Sequence, residues 1–435
     1  MVAQEWEGDF DPMADADERA HLLSVLDSFR SYRRLAHFNG THVRRQAFYS
    51  LPQEHWTLLS KPPFSILDSL SYLDDLIDGN AELAEAIFTA GFKALIAPTI
   101  DSEWVASIVP LKHAHNEYQV FSTVMDHLNV QTSQADMDKA RSCINQFYRE
   151  WSAAGAAERN QCFTPILSTL DAEHTSRLTS TPTLPKSSLK VLAPGAGLGR
   201  LLLDLSLAGY TVEGNEISYH ELLASSFILN HSTSAGQFTL APFALHGSNH
   251  LSRTDQFRTF AVPDIHPATA LAASTDPDAH ARLSMATGDF CVLYGAPEQK
   301  GAFDVLATVF FIDTAPNLIR YIEAARNCLK PGGVWVNLGP LLWHHAARGP
   351  AGQDGDGGGG GGGAGGGGGG GGGDRGIGDP GSVELTYEEV VALVQHMGFV
   401  MEKSEVGAIE TGYMSNPASM LLNTYKPAFW VARRT

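Results

Sequence analysis

Three glycines at alternate positions, Gly195, Gly197 and Gly199 in VLAPGAGLGRLL, follow an apolar run and open a helical one. Glycine at such a turn lets the backbone approach a ligand where a Cβ would intervene. A dinucleotide fingerprint, GxGxxG, wants glycine at position 200, whereas this chain has Arg200 and the spacing GxGxG. That spacing suits S-adenosylmethionine better than NAD, because there is no pyrophosphate to seat on the helix N-terminus and the turn packs against amino-acid and ribose portions instead. A tight turn that binds nothing is the plain alternative. Glu216 ends the next strand-like run, TVEGNE, where a carboxylate can accept both hydroxyls of a ribose. GDF adds a second acid, Asp289, with Phe290 beside it to stack on a purine. Either acid could equally be a solvated strand end. Asp313 closes VLATVFFID, at the edge where open α/β sheets place their ligands, although with Thr314 before NLIRYIEAA it also reads as a helix cap.

These residues need a scaffold. From Asp17 to about residue 180 the apolar residues recur at helical steps, as in Leu22, Leu26 and Phe29, or Leu73, Leu76 and Ile77. The segment DMDKARSCINQFYREW sets Met137, Ala140, Ile144, Phe147 and Trp151 on one face and leaves Gln146 and Arg149 together on a flank. After the Thr/Ser/Pro-rich stretch at 181–188, strands and helices alternate from residue 189 to 435, which predicts an α/β, Rossmann-like sheet with helices on both faces. Residues 231–284 exceed an ordinary connection and read as an insertion, either a lid or a packing excursion. The polyglycine stretch at 350–381 and residues 1–16 are expected to be disordered.

With 48 acidic against 30 basic residues and a net charge of −18, the chain is a poor partner for nucleic acid or anionic membranes. Its four cysteines have neither a disulfide framework nor metal-ligand spacing, so no metal is expected and a reducing compartment fits. The acidic start lacks the features of a secretory signal, and no apolar run is long enough for a bilayer span. A cytoplasmic protein is expected, with the nucleus a second option and a homodimer among the open oligomeric states.

The order glycine turn, acid, acid plus aromatic, and LKPGG resembles class I S-adenosylmethionine-dependent methyltransferases. At greater length, PGAGLGRL, GYTVEGNEISYHELLASSFILN, FFIDTAPNLIRYIEAARNCLKPGGVWVNLGPLLWH and INQFYREWSAAGAAERNQCFTPIL resemble the carnosine N-methyltransferase family, from about residue 17 to the end outside the glycine tract. The resemblance implies methyl transfer to an imidazole nitrogen of a histidine-containing dipeptide, carnosine giving anserine. It implies that Gln146 and Arg149 reach over the cofactor and that Gly195, Gly197, Glu216, Asp289 and Phe290 line its pocket. It also implies that Asp313 faces the substrate imidazole, with His344 and Tyr425 touching the dipeptide. From the residues alone, Arg149 could be a surface partner of Glu150, His344 a loop residue and Tyr425 a packing aromatic. Where the family has clustered aromatics, this chain has Asn423 and Thr424 before Tyr425.

Neutral imidazole, of unperturbed pKa about 6.5, already offers a lone pair, so no strong base is required. Positioning can supply roughly 7–11 kcal/mol, more than general acid–base help. A carboxylate at Asp313 would select the tautomer and steady the charge that develops on the ring. Methylation of histidine in a peptide or protein, and a cofactor-binding protein without turnover, are the alternative readings.

Overall fold

The computed structural model describes residues 15–345, apart from 111, 114, 275 and 277, and residues 381–435. The disorder expected over residues 1–16 and 350–381 falls outside the described residues except at 15, 16 and 381, and Ala16 already opens a helix.

Two compact units divide the chain between Ser142 and Cys143. In the first, the helix Ala16–Arg30 buries Leu22, Val25, Leu26 and Phe29, and the long helix Ile66–Gly91 buries Leu73, Ile77, Leu83, Ala84, Ile87 and Phe88. Apolar residues at three- and four-residue steps give each helix one stripe, and the two helices pack together. Arg30 ties this unit to a third helix, Glu117–Leu128, through Asp126 at 2.5 Å and the Ser122 carbonyl at 3.2 Å.

Among the described residues the second unit has nine strands: β1 (Lys190–Pro194), β2 (Thr211–Glu216), β3 (Phe238–Leu240), β4 (Phe260–Val262), β5 (Leu283–Thr287), β6 (Phe303–Val309), β7 (Leu329–Gly339), β8 (Phe399–Val406) and β9 (Ala428–Arg434). Seven of them form one sheet in the order β5-β2-β1-β6-β7-β9-β8. Neighbouring strands from β5 to β7 pair parallel, while β9 runs antiparallel to both β7 and β8. The period-two alternation of strand side chains divides the apolar residues between two cores. Leu192, Leu306, Trp335 and Trp430 face one core with the helices Leu318–Cys328 and Tyr387–His396. Val191, Ala193, Val305, Ala307, Val334 and Val336 face the other, with the helices Ala156–Leu178 and Arg200–Leu207. That is why VLATV in β6 is almost wholly apolar instead of alternating: the strand is buried on both faces.

Two features lie beyond what periodicity shows. The helix Ala156–Leu178 belongs to the sheet unit, contributing Cys162, Phe163, Ile166 and Leu170 to its core. The segment 231–284 is packed: β3 and β4 form an antiparallel ribbon, and the rings of Phe243 and Phe260 lie 5.4 and 4.7 Å from that of Tyr148. Among the described residues no helix is long and apolar enough to cross a membrane.

Ile166 is fully buried between helix and sheet. Ile166→Ala is expected to cost about 2–5 kcal/mol in urea unfolding; a loss below about 1 kcal/mol would place that helix outside the core.

Candidate active site

The glycine turn occupies the C-terminal tip of β1. All three glycines have left-handed φ, +66° at Gly195, +53° at Gly197 and +76° at Gly199, which other residues adopt at a cost. Their surroundings differ. A Cβ on Gly195 would lie 2.7 Å from the Phe311 ring, and one on Gly199 would meet Leu229 at 2.9 Å, whereas at Gly197 it would meet nothing within 4 Å. Gly197 therefore presents bare backbone to open space.

Glu216, at the end of β2, clasps this turn. Its Oε2 accepts the Gly197 N–H at 3.0 Å, and its Oε1 accepts those of Ile217 and Ser218 at 2.9 and 3.0 Å. A carboxylate has about four acceptor positions. A ribose diol would therefore share Glu216 with the turn or displace the Gly197 contact. Asp289 follows β5 and caps the helix Phe290–Gly295, accepting the Val292 N–H at 3.0 Å. Phe290 is buried, with its ring 5.4 Å from those of both Phe311 and Tyr321. Phe311 stacks on Tyr321 at 5.0 Å. The Tyr321 phenol is raised by burial above all, with Asp289 and Glu216 near enough to add to the shift.

Arg149 lies near the end of the helix Gln134–Trp151 and is only 3% exposed. Its Nη1 donates to Glu150 at 3.0 Å, and its Nε lies 3.2 Å from the Glu158 carboxylate, out of line for a hydrogen bond. Nη2 is buried without a partner. The guanidinium sits 5.0 Å over the Tyr413 ring and about 6 Å from Phe163 and Phe310. Burial acts to lower its pKa, but the groups around it, Cys162 and Glu150 foremost, raise it overall. The pairing with Glu150 that the sequence suggests is present, in the interior rather than at the surface. Gln146 is half-buried and donates to Glu221 at 2.9 Å.

Asp313 lies beyond the end of β6 in a single turn of 3-10 helix, Ile312–Thr314, and is 1% exposed. Asn317, not Asp313, caps the following helix. The Asp313 Oδ2 accepts the Leu342 N–H at 2.9 Å, and its carbonyl accepts the His344 N–H at 3.2 Å. Burial pushes its carboxyl up, partly offset by the Leu342 N–H and by His344. Two residues in the left-handed region bracket it, Phe310 at φ +53° and Trp343 at φ +44°. Non-glycine residues with such angles persist where the surroundings enforce them, often at working sites. His344 is exposed and its neighbour His345 is buried. Tyr425 is half-buried, its ring 5.8 Å from Phe310.

The segment Phe310–Asp313 therefore joins the parts. Phe311 touches the glycine turn and Phe290; Phe310 touches Arg149, Tyr413 and Tyr425. Phe310, Phe311, Tyr413 and Glu158 are not distinguished by the sequence, apart from the doubled aromatic just beyond β6. An open groove of about 570 Å³ lies at the opposite edge, lined by Arg177, Asp304, Lys330, Glu402 and Arg433 among others. Its cations are already matched by carboxylates, Arg177 and Lys330 by Asp304, and Arg433 by Glu173. Among the described residues no cluster of His, Cys, Asp and Glu could hold a metal.

A buried arginine with an unclaimed donor, a side-chain-free turn and acids at the tips of β2 and β5 fit the carboxylate, backbone approach and hydroxyls of S-adenosylmethionine. The sheet order, with its antiparallel β9, and this site define a class I S-adenosylmethionine-dependent methyltransferase. The chain belongs to the carnosine N-methyltransferase family, whose model matches residues 126–435. Relatives include the carnosine N-methyltransferase of Schizosaccharomyces pombe, 34% identical over 96% of this chain and 97% of its own. That of Mus musculus is 30% identical over 96% of this chain and 86% of its own. A solved methyltransferase from Methanosarcina mazei is 14% identical, covering 56% of this chain and 92% of its own at TM-score 0.31, too distant for residue correspondence.

Arg149→Met is expected to weaken binding of S-adenosylhomocysteine, the demethylated cofactor, by about tenfold or more, because charge-assisted hydrogen bonds in a buried site contribute about 1.5–3 kcal/mol. Gly197→Val should act in the same direction by filling the space above the turn. Titration calorimetry measures both; unchanged affinity in the arginine variant would remove that residue from the cofactor site.

Proposed function

We propose that this chain transfers the methyl group of S-adenosylmethionine to an imidazole nitrogen of carnosine, giving anserine. The observation that carries the reading is the buried Asp313 carboxylate, held by one backbone N–H beside the aromatic segment that meets both the glycine turn and Arg149. Family membership supports carnosine as the dipeptide.

Arg149 would hold the cofactor's carboxylate through Nη2, Glu216 and Asp289 its hydroxyls, and Phe290 its purine; Gln146 would extend over it from the same helix as Arg149. The bound cofactor supplies an electrophilic sulfonium methyl. The chain's own work is to place and desolvate the imidazole. Asp313 accepts the N–H of the far ring nitrogen, leaving a lone pair on the nitrogen that is to be alkylated. As that nitrogen gains its methyl, the ring becomes cationic, and the carboxylate stabilises the charge in a site where burial strengthens the interaction. Asp313 then takes the N–H proton, releasing a neutral product. Tyr425 and Phe310 wall the ring, and His344, exposed and beside Asp313, meets the outer end of the dipeptide. We also propose a cytoplasmic or nuclear setting and a small dipeptide rather than nucleic acid as partner, in keeping with the net charge of −18.

Asp313→Asn is expected to lower kcat by roughly 10²–10⁴-fold with S-adenosylhomocysteine binding retained, read by mass spectrometry of methylated carnosine. Undiminished turnover would remove the role assigned to this residue. The pH dependence has a definite sign. A carboxyl raised in the folded state is protonated there while ionised in the unfolded chain, so stability falls as pH rises from the ordinary carboxylate value through the folded one. Asp313→Asn should remove that contribution, which the difference between wild-type and variant urea titrations across the acid range would detect.

A further inference from the structure

The last carbonyls of a helix have no partner within it. At the end of the helix Gln134–Trp151, four successive carbonyls are met by donors from three separate places in the chain. Arg159 Nη1 donates to the carbonyls of Arg149 at 3.0 Å and Ser152 at 2.8 Å. Arg200 Nη1 donates to Glu150 at 3.1 Å, and the backbone N–H of Asp264 to Trp151 at 2.7 Å. The side chain of Asp264 then joins the two arginines: Oδ2 lies 2.7 Å from Arg159 Nη2 and Oδ1 lies 2.5 Å from Arg200 Nη1. Arg200 also rests 5.2 Å over the Trp151 ring, whose Nε1 donates to the Leu198 carbonyl inside the glycine turn at 3.1 Å.

This arrangement answers why position 200 is arginine in a turn that otherwise resembles a dinucleotide fingerprint. Arg200 is the first residue of the helix after Gly199, so what holds its guanidinium also holds the turn. Arg159 holds the carbonyl of Arg149 itself. Asp264 stands between these two cations, both buried, and its removal would leave two guanidiniums facing one another without their shared counter-ion. Asp204 also pairs with Arg200, at 2.9 Å, but acts on Arg159 through its charge alone, whereas Asp264 forms an ion pair with both arginines.

We propose that Asp264, carried by the 231–284 insertion, is a positioning residue for the cofactor: through Arg159 and Arg200 it sets the separation between Arg149 and the glycine turn, and so governs affinity for S-adenosylmethionine without touching it. The inference deepens the cofactor placement proposed above and rests on it. The insertion then has a defined task, to lock the two halves of the cofactor site together.

The test is Asp264→Asn in the full-length chain, a near-isosteric change that removes the charge. KM for S-adenosylmethionine and the dissociation constant for S-adenosylhomocysteine should rise about tenfold or more, since small misplacements of binding groups cost that much and more. KM for carnosine at saturating cofactor should stay within about threefold. Asp264→Glu, which keeps the charge, should recover part of the lost cofactor affinity. If Asp264→Asn fails to fold, Arg200→Lys is the second variant; it keeps a cation but loses the fork, and should shift the same two constants in the same direction. Wild-type cofactor affinity in a folded variant, or equal losses for cofactor and carnosine, would overturn the proposal. Arg149→Met separates the two failures: if it too leaves S-adenosylhomocysteine affinity unchanged, the cofactor placement is wrong, whereas if it alone weakens binding, only the role of Asp264 falls.

Discussion

A full positive charge at Arg149, 3% exposed, has to be held inside the protein, and much of the surrounding architecture exists to do so. Removing a guanidinium from water is costly unless charges and donors are matched around it. Glu150 and Glu158 supply the charge, Tyr413 a π face, and burial and partners oppose one another in setting the pKa. Glu158 is itself engaged by Met414 and Ser415, so the loop following β8 is drawn onto the same centre. The site is therefore built around a charge that is paired with carboxylates while its Nε and Nη2 donors remain without hydrogen-bond partners.

That incompleteness has a physical use. A buried donor without a partner is unfavourable in the protein alone, and a ligand carboxylate that meets it recovers the deficit, which favours ligands carrying such a group. The glycine turn is the complement. There the left-handed backbone at Gly197 leaves space where any side chain would stand, and the Glu216 clasp keeps that backbone in shape.

The proposed catalytic end follows a different logic. Asp313 is almost wholly buried beside Phe310 and Trp343, two residues in conformations that side chains ordinarily avoid. The surrounding packing compensates for that strain: Phe310 donates its N–H to Leu338, and Trp343 donates its indole N–H to Leu385 at 3.0 Å. A carboxylate whose ionised form is disfavoured by burial gains from an adjacent developing cation, which is what an imidazole undergoing alkylation provides.

The alternation of apolar residues along β1, β6 and β7, the glycines after β1 and the acids ending β2 and following β5 are local matters, legible in the chain because strand period, turn conformation and helix capping act over a few residues. Long family motifs carry the same information about Asp313 and Arg149, since they preserve local order. Non-local pairings have no such signature. Nothing near position 264 announces that its aspartate stands between Arg159 and Arg200, that the helix Ala156–Leu178 joins the sheet, or that Phe310 gathers Arg149, Tyr413 and Tyr425. Those depend on segments distant in the chain meeting in space: Asp264 lies 64 residues from Arg200 and 105 from Arg159. Such meetings are settled by the summed burial of two cores and the pairing of interior charges, quantities that exist only once the chain has closed on itself.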